Sequence, residues 1–448
     1  MIFDSESVFE ENVITVLKQH GWKDGVLRYP TERDLLDNWK DILYRNNNDI
    51  DRLGKYPLTD GEMAQIIEQI ETLRTPLALN SFVNGRTVSI TRDNKEDVAH
   101  FGKEVSLYIY DRKEIAGGKS TYQIVQQPVY PAKNTMLNSR RGDLVLLING
   151  MPLIHIELKR SGIPVSQATN QIEKYAHEGV FTGLFRLVQI FVAMTPDDAV
   201  YFANPGADKF NPSYYFHWAD YNNEPICGGQ HPGKDEWKLF IGGTSGTAGL
   251  LSIPMAHQLI GFYTIADSAD GCLKVLRSYQ YIAANAISDV VRKCDWEQRP
   301  SMPGRPGGYV WHTTGSGKTM TSFKSAQLIA DSHDADKVVF LMDRIELGTQ
   351  SLKEYRSFAD SETEVQGTEN TGVLRDKLNS TDVNDTLIVT SIQKMSNVKA
   401  GERGVTQTWL DQLAARRIVF IVDECHRSTF GDMLQVIRRS FPNALLDR

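Results

Sequence analysis

The 448-residue chain has little cysteine: Cys227, Cys272, Cys294 and Cys425, with no CxxC pair among them. That spacing excludes a disulfide framework and a four-cysteine zinc site, and leaves reduced thiols that mainly pack. Long apolar runs are missing too. None approaches the roughly 18 residues of a membrane-spanning helix. The opening MIFDSESVFEENV is acidic, where a secretory signal is basic and then apolar, so a cytoplasmic protein is expected. There is no basic excess either: 49 Lys and Arg stand against 56 Asp and Glu, for a net charge of −7. A dedicated nucleic-acid module often has a pI above about 9. Any contact with DNA therefore falls to local patches such as Arg140–Arg141, Lys159–Arg160, Arg416–Arg417 and Arg438–Arg439. No internal repeat or low-complexity tract occurs.

What remains is ordinary globular composition, 41% hydrophobic and 23% charged, in a chain long enough for two or three cores. Residues 7–21 carry Phe9, Val13, Val16 and Leu17 at helical spacing before Gly21. Helices are also expected at 60–74 and 92–101. Strands are expected at 104–111, 121–130, 142–150 and 151–160, with Asn149–Gly150 as a hairpin turn. A polar helix at about 166–177 and a strand pair over about 187–203 complete an α+β region around a mixed sheet, residues 1–205. Residues 206–255, rich in Gly, Pro, Asn and Asp, read as a linker or irregular subdomain. Helices are expected at 254–266 and 273–292. Apolar strands at 308–313, 337–343, 386–392 and 417–424 then alternate with helices, the pattern of a parallel sheet covered on both faces. The expected fold class is α/β, with the second lobe spanning 256–448.

The stretch WHTTGSGKTMTS (311–322) runs strand, glycine-rich turn, helix. Across Thr314, Gly315, Ser316 and Gly317 the backbone can curl so that several N–H groups face one phosphate, at the positive end of a helix dipole. Lys318 would neutralise phosphate charge and the Thr319 hydroxyl would ligate Mg2+. His312 stands where the general pattern has glycine. In VDECHRS (422–428), an apolar strand ends in two carboxylates. Asp423 would hold Mg2+, Glu424 would act as general base on water, and His426 would link nucleotide to DNA. GSGKT followed by DECH resembles the first lobe of a superfamily-two helicase or translocase, a RecA-like fold that binds ATP. The resemblance extends to LRSYQ (276–280), with Gln280 as adenine reader, and to MDRIEL (342–347) and TSIQKM (390–395) as strand contacts.

Glu157 and Lys159 lie one residue apart in IHIELKR, on one face of a strand. The expected hairpin folds Asp143 back beside them. Two carboxylates suit a hard divalent metal, and a lysine beside them can stabilise developing negative charge. A structural salt bridge is the alternative. The D…ExK pattern resembles the PD-(D/E)xK nuclease core, with Gly142 in place of the proline before the aspartate. QIEKY (171–175), with Gln171 and Tyr175 at i and i+4, resembles the extra motif of RecB-like nucleases. Glu10 on the first helix is a further candidate acid, with Glu11 as its competitor.

Together, a nuclease core followed by a superfamily-two lobe resembles the restriction (R, HsdR) subunit of type I restriction–modification enzymes. In type III restriction subunits the order is reversed. The resemblance implies Mg2+-dependent cleavage of double-stranded DNA, ATP-driven translocation, and docking on modification and specificity subunits. Another helicase–nuclease fusion from phage defence or DNA repair is the alternative. The chain ends soon after DECH, without the motifs of a second motor lobe, so it is expected to be a truncated product that binds ATP weakly and does not translocate by itself.

Overall fold

The computed structural model describes residues 2–448 apart from 116, 131–139, 208, 229–234, 298–306, 314, 343–351, 354–355, 360–364, 369, 403–404, 423–429 and 448. The chain divides into two compact units, Met1–Tyr279 and Gln280–Arg448. Residues 206–279, which the sequence reading divides between a linker and the start of the second lobe, belong to the first unit. Their content explains this. Trp218, Trp237, Phe240, Leu250 and Leu251 are buried, and Trp22 donates from its indole to the Leu251 carbonyl (2.6 Å). No helix among the described residues is long and apolar enough to cross a membrane.

The first unit is built on a six-stranded mixed sheet in the order β1 (Val26–Arg28), β4 (Tyr122–Gln126), β5 (Leu144–Ile148), β6 (Met151–Leu158), β7 (Ile190–Met194), β8 (Ala199–Ala203). Strand pairs β1–β4 and β6–β7 are parallel; the others are antiparallel. The turn joining β5 to β6 is at Asn149 and Gly150, both at positive φ (52° and 84°), as a primed two-residue hairpin turn requires. A Cβ on Gly150 would come within 2.7 Å of Trp39. Helix α1 (Glu6–Gln19) buries Phe9, Glu10, Val13, Ile14, Val16 and Leu17. Helix α5 (Val165–His177) covers β7 and β8 through Ala168 and Ile172 against Phe191, Ala193 and Phe202.

Several expectations change. Strand β3 (Glu104–Tyr108) pairs with β2 (Thr87–Thr91) in a separate two-stranded sheet, outside the main one. Residues 92–101 form turns instead of a helix, because Arg92 is drawn inward between Glu62 and Asp97 and the Asn94 side chain accepts from Glu96 N. Helices α2 (Glu32–Asn46), α4 (Pro76–Asn84) and α6 (Glu236–Gly242) were not anticipated. The helices expected at 254–266 and 273–292 each give up one end to a strand. Helix α7 (Met255–Gly261) precedes β9 (Thr264–Asp267), and β10 (Cys272–Val275) precedes α8 (Ser278–Arg292).

The second unit has a fully parallel five-stranded sheet in the order β12 (Gln366–Gly367), β13 (Leu387–Ser391), β11 (Lys337–Met342), β14 (Ile418–Val422), β15 (Leu445–Asp447). Alternate residues feed two cores, as expected of a sheet covered on both faces. Val338 and Phe340 face helix α9 (Lys318–Ser332) through Phe323, Ala326 and Ile329. Val339 and Leu341 face Leu374, Leu410 and Ile437. The strand expected at 308–313 is not formed. Gly307 and Gly308 donate to the Leu446 carbonyl, and the chain then runs irregularly to the glycine-rich loop.

Candidate nuclease and nucleotide sites

The β5–β6 hairpin brings Asp143 to Glu157. Leu144 pairs with Ile156, so Asp143 lies one step beyond, opposite Glu157. The Leu158 amide donates to Asp143 Oδ2 (2.7 Å), and the Asp143 and Glu157 carboxyls lie close enough to act on each other's ionisation. Glu157 is fully buried and Lys159 is 8% exposed. Lys159 Nζ lies 3.4 Å from Glu157 Oε1 and 3.7 Å from Glu6 Oε1, and donates to the Leu158 carbonyl (2.8 Å). Burial raises the Glu157 pKa to about 8, opposed by the lysine charge. Burial, and then the charge of Glu157, push Asp143 well above the usual carboxylate range. Two acids that resist losing their protons, with a lysine in reach, are an arrangement poised for a cation.

Glu10 and Glu11 separate cleanly. Glu11 turns outward and pairs with Arg28 (2.6 Å). Glu10 is 2% exposed, and its charge is among those that raise Asp143. Gln127, in the left-handed region (φ 49°), ties the acids together: its side chain donates to Glu10 Oε2 (3.0 Å) and its backbone N–H to the Asp143 carbonyl (2.8 Å). Burial raises the Glu10 pKa as well. Glu10 Oε1 and Glu157 Oε2 are buried carboxylate oxygens with no hydrogen-bond partner. Such lone pairs fit a divalent metal, since a buried acceptor without a donor is otherwise costly. Among the described residues no group of three or more His, Cys, Asp or Glu is close enough to hold an ion alone. The donors on offer are therefore the Asp143–Glu157 pair.

Gln171 and Tyr175 do share a face of α5. Gln171 Nε2 donates to the Tyr175 hydroxyl (2.6 Å), which donates to the Arg141 carbonyl (2.9 Å). The pair thus holds the backbone two residues before Asp143. Burial, followed by the charge of Glu157, raises the Tyr175 pKa. Gly142 is also explained: a Cβ there would lie 2.5 Å from Tyr130 Oη and 2.9 Å from His155 Cε1. Gly142→Ala is expected to cost about 1–3 kcal/mol through overpacking, read as a lowered unfolding midpoint. A midpoint unchanged from the parent would show that this contact yields.

Tyr130 and His155 were missed by sequence reasoning. The only signal was that His155 shares the strand face of Glu157 and Lys159. Among the nominated basic pairs, Arg140 is engaged by Glu178, Arg417 by Asp336, and Arg416 by the carbonyls of Leu378, Asn379 and Ser380.

In the second unit, Gly315 and Gly317 both adopt left-handed φ (76° and 82°), and α9 begins at Lys318, with Thr319 in its first turn. Gln280 is brought to this loop, donating to the carbonyls of Gly317 (3.2 Å) and Ser316 (3.4 Å). The Ser316 hydroxyl donates to Thr313 O (2.7 Å), so its oxygen accepts from His312 Nδ1–H (2.9 Å). His312, where glycine was expected, thereby braces the loop. Thr390 and Ser391 end β13; Ser391 caps the helix Ile392–Ser396, and Lys394 donates to the Thr368 carbonyl. Thr314, Asp423, Glu424, His426 and residues 343–347 of MDRIEL lie outside the described residues. Strand β14 ends at Val422, directly before the acidic pair and at the carboxyl edge of the sheet, where α/β folds bind ligands.

The comparisons with known proteins agree along the chain. Residues 4–210 match the family model for the type I restriction enzyme R protein N terminus, and residues 279–446 match the SWI2/SNF2 ATPase model. The SsaAORF53P type I restriction enzyme endonuclease subunit of Staphylococcus saprophyticus is 34% identical over 99% of this chain and 42% of its own length. The EcoprrI endonuclease subunit of Escherichia coli is 28% identical, covering 70% of this chain and 99% of its own. A Mycoplasma pneumoniae relative, named as the C-terminal part of the type I restriction enzyme MpnIIP endonuclease subunit, is 38% identical over 38% of this chain and 80% of its own length. The chain thus spans about 42% of the length of the staphylococcal relative. It belongs to the family of type I restriction enzyme endonuclease (R) subunits.

Proposed function

We propose that this chain supplies the nuclease and the first motor lobe of a type I restriction subunit, which translocates double-stranded DNA with ATP and cuts unmodified DNA with Mg2+. The observation that carries this reading is the pairing of two sites in one chain. A half-buried Asp143 beside the fully buried Glu157, with Lys159, lies in the first unit, and a left-handed glycine loop opens helix α9 in the second. Residues 1–205 would form the PD-(D/E)xK nuclease domain, 206–279 a subdomain of the same compact unit and 280–448 the RecA-like lobe.

Asp143 and Glu157 would hold the Mg2+ ion of the nuclease. When bound, the ion lowers the pKa of a water and polarises the scissile phosphate. Lys159, anchored by the Leu158 carbonyl, places a positive charge beside the acids where negative charge develops. Glu10 would act on this pair through its charge, as a buried carboxylate near Asp143. Gln171 and Tyr175 hold the backbone that presents Asp143. In the second unit, the N–H groups from Thr314 to Lys318 would cradle the ATP phosphates and Thr319 with Asp423 would hold its Mg2+. Glu424 would polarise the attacking water, Gln280 would read adenine, and His426 would couple nucleotide to DNA. Partners would be modification and specificity subunits, in the cytoplasm.

The test is cleavage of long unmodified plasmid by a subunit of the relatives' full length, reconstituted with candidate modification and specificity subunits, with and without ATP. Lys159→Ala is expected to abolish cutting while sparing ATP hydrolysis, and Lys318→Ala to abolish both. Cutting that ignores ATP and survives Lys318→Ala would reject the coupled reading.

A further inference from the structure

His155 is fully buried in β6, on the same strand face as Glu157. Its ring is edged by Phe181, Phe191 and Tyr175 at centroid distances of 5.4, 6.0 and 6.4 Å, which fixes its plane. Its Nδ1 lies 3.0 Å from the Tyr130 hydroxyl, and its Nε2 lies 3.3 Å from Glu157 Oε2. Nε2 and Oε2 are both buried, lie beside one another and are not hydrogen-bonded in this geometry, so a rotation of the Glu157 carboxyl would join two atoms that otherwise lack partners. A histidine that only filled the core would be satisfied by Tyr130 and apolar neighbours. It would not leave its second nitrogen buried beside an equally unmet carboxylate oxygen, because an unmet buried polar atom costs free energy.

We propose, resting on the nuclease reading above, that His155 is a positioning residue for Glu157: its Nε2–H donates to Glu157 Oε2 and fixes the rotation of that carboxylate in its metal-holding state. Tyr130 sets the tautomer. When its hydroxyl donates to Nδ1, the single ring proton of neutral histidine is left on Nε2, facing Glu157. Gly142 is part of the same device, since any side chain there would displace Tyr130 and His155. Groups that orient a metal-holding side chain are typically worth about 10–100-fold in metal affinity.

The experiment is calorimetric titration of the 448-residue chain with Mn2+ in the absence of nucleotide. The signal from this site is defined as the part lost in Asp143→Asn. His155→Gln places an amide N–H where Nε2 sits, whereas His155→Asn can reach only the Tyr130 side. The expected result is affinity near wild type for Gln and about 10–100-fold weaker affinity for Asn and for His155→Phe, with Tyr130→Phe in between. Thermal unfolding identifies any variant that fails to fold, and the Gln/Asn contrast still decides the question if Phe does. Equal affinities for folded Gln and Asn variants would overturn the positioning role while leaving the nuclease site intact. Mn2+ binding unaffected by Asp143→Asn would instead overturn the nuclease reading itself.

Discussion

Replacing Glu157 with glutamine should make the metal-free chain more stable above neutral pH and, on the proposed nuclease reading, should remove DNA cleavage by the reconstituted subunit. The reason is that Glu157 is fully buried and its pKa is raised from 4.5 to about 8 by burial. A group whose pKa is raised on folding contributes stability that is complete below its unfolded value and lost as pH rises through its folded value. The window therefore opens near pH 4.5 and closes at about pH 8. Across it, wild type without metal should lose on the order of a few kcal/mol, to which Asp143 adds in the same direction. Glutamine keeps the shape and removes the ionisation. Lys159 loses one partner in this variant but retains the Leu158 carbonyl and Glu6, so its own loss is the smaller effect. On the proposed reading, metal binding must displace the protons of Glu157 and Asp143, so wild-type affinity for Mg2+ or Mn2+ should climb as pH rises through about 8. Unfolding midpoints measured with a chelator from pH 5 to 9 check this. Parallel curves for wild type and Glu157→Gln would mean that the carboxyl is ionised without penalty, and the site would lose its physical basis. On the proposed reading, cleavage by the reconstituted Glu157→Gln subunit should fall by about a hundred- to a thousandfold.

The second large effect lies away from both sites. Arg92 is fully buried, with Nη1 2.6 Å from Glu62 Oε2 and Nε 3.0 Å from Asp97 Oδ2, and it also donates to the carbonyls of Tyr56 and Pro57. Glu62 in turn accepts from the amides of Thr59, Asp93 and Asn94. Arg92→Met leaves two buried carboxylates without their shared cation. Breaking such a pair by removing one partner costs about 3–5 kcal/mol. For a unit of this size that corresponds to a fall of roughly 10 °C in its unfolding midpoint. Differential scanning calorimetry should show the transition of the first unit moving while that of the second stays. A shift under about 3 °C would mean that water reaches Glu62 and Asp97 and that the network is not sealed. Below the lowered midpoint, the Mn2+ binding proposed for Asp143 and Glu157 should be unchanged, since none of these groups touches the acid pair.

Local signals in the sequence determined much of this protein. The Asn149–Gly150 turn, the period-two alternation that sets Glu157 and Lys159 on one face, and the four-residue spacing of Gln171 and Tyr175 are properties of a few adjacent residues, and all three hold in the structure. The apolar strands at 337–342, 387–391 and 418–422 were legible for the same reason. The tertiary structure decided whatever depends on residues distant in the chain. Glu10 faces inward and Glu11 outward because Gln127, 117 residues away, meets one, and Arg28 on β1 meets the other. His155 looked like one more strand residue until Tyr130 and Glu157 closed around it. The 104–111 stretch has strand propensity, but only packing made its partner β2 instead of the main sheet. Residues 92–101 became turns because a buried arginine needed two carboxylates more than the segment needed a helix. Side-chain period and turn chemistry are written locally. Burial, and the pairing of charges that burial demands, arise only when the chain has folded back on itself.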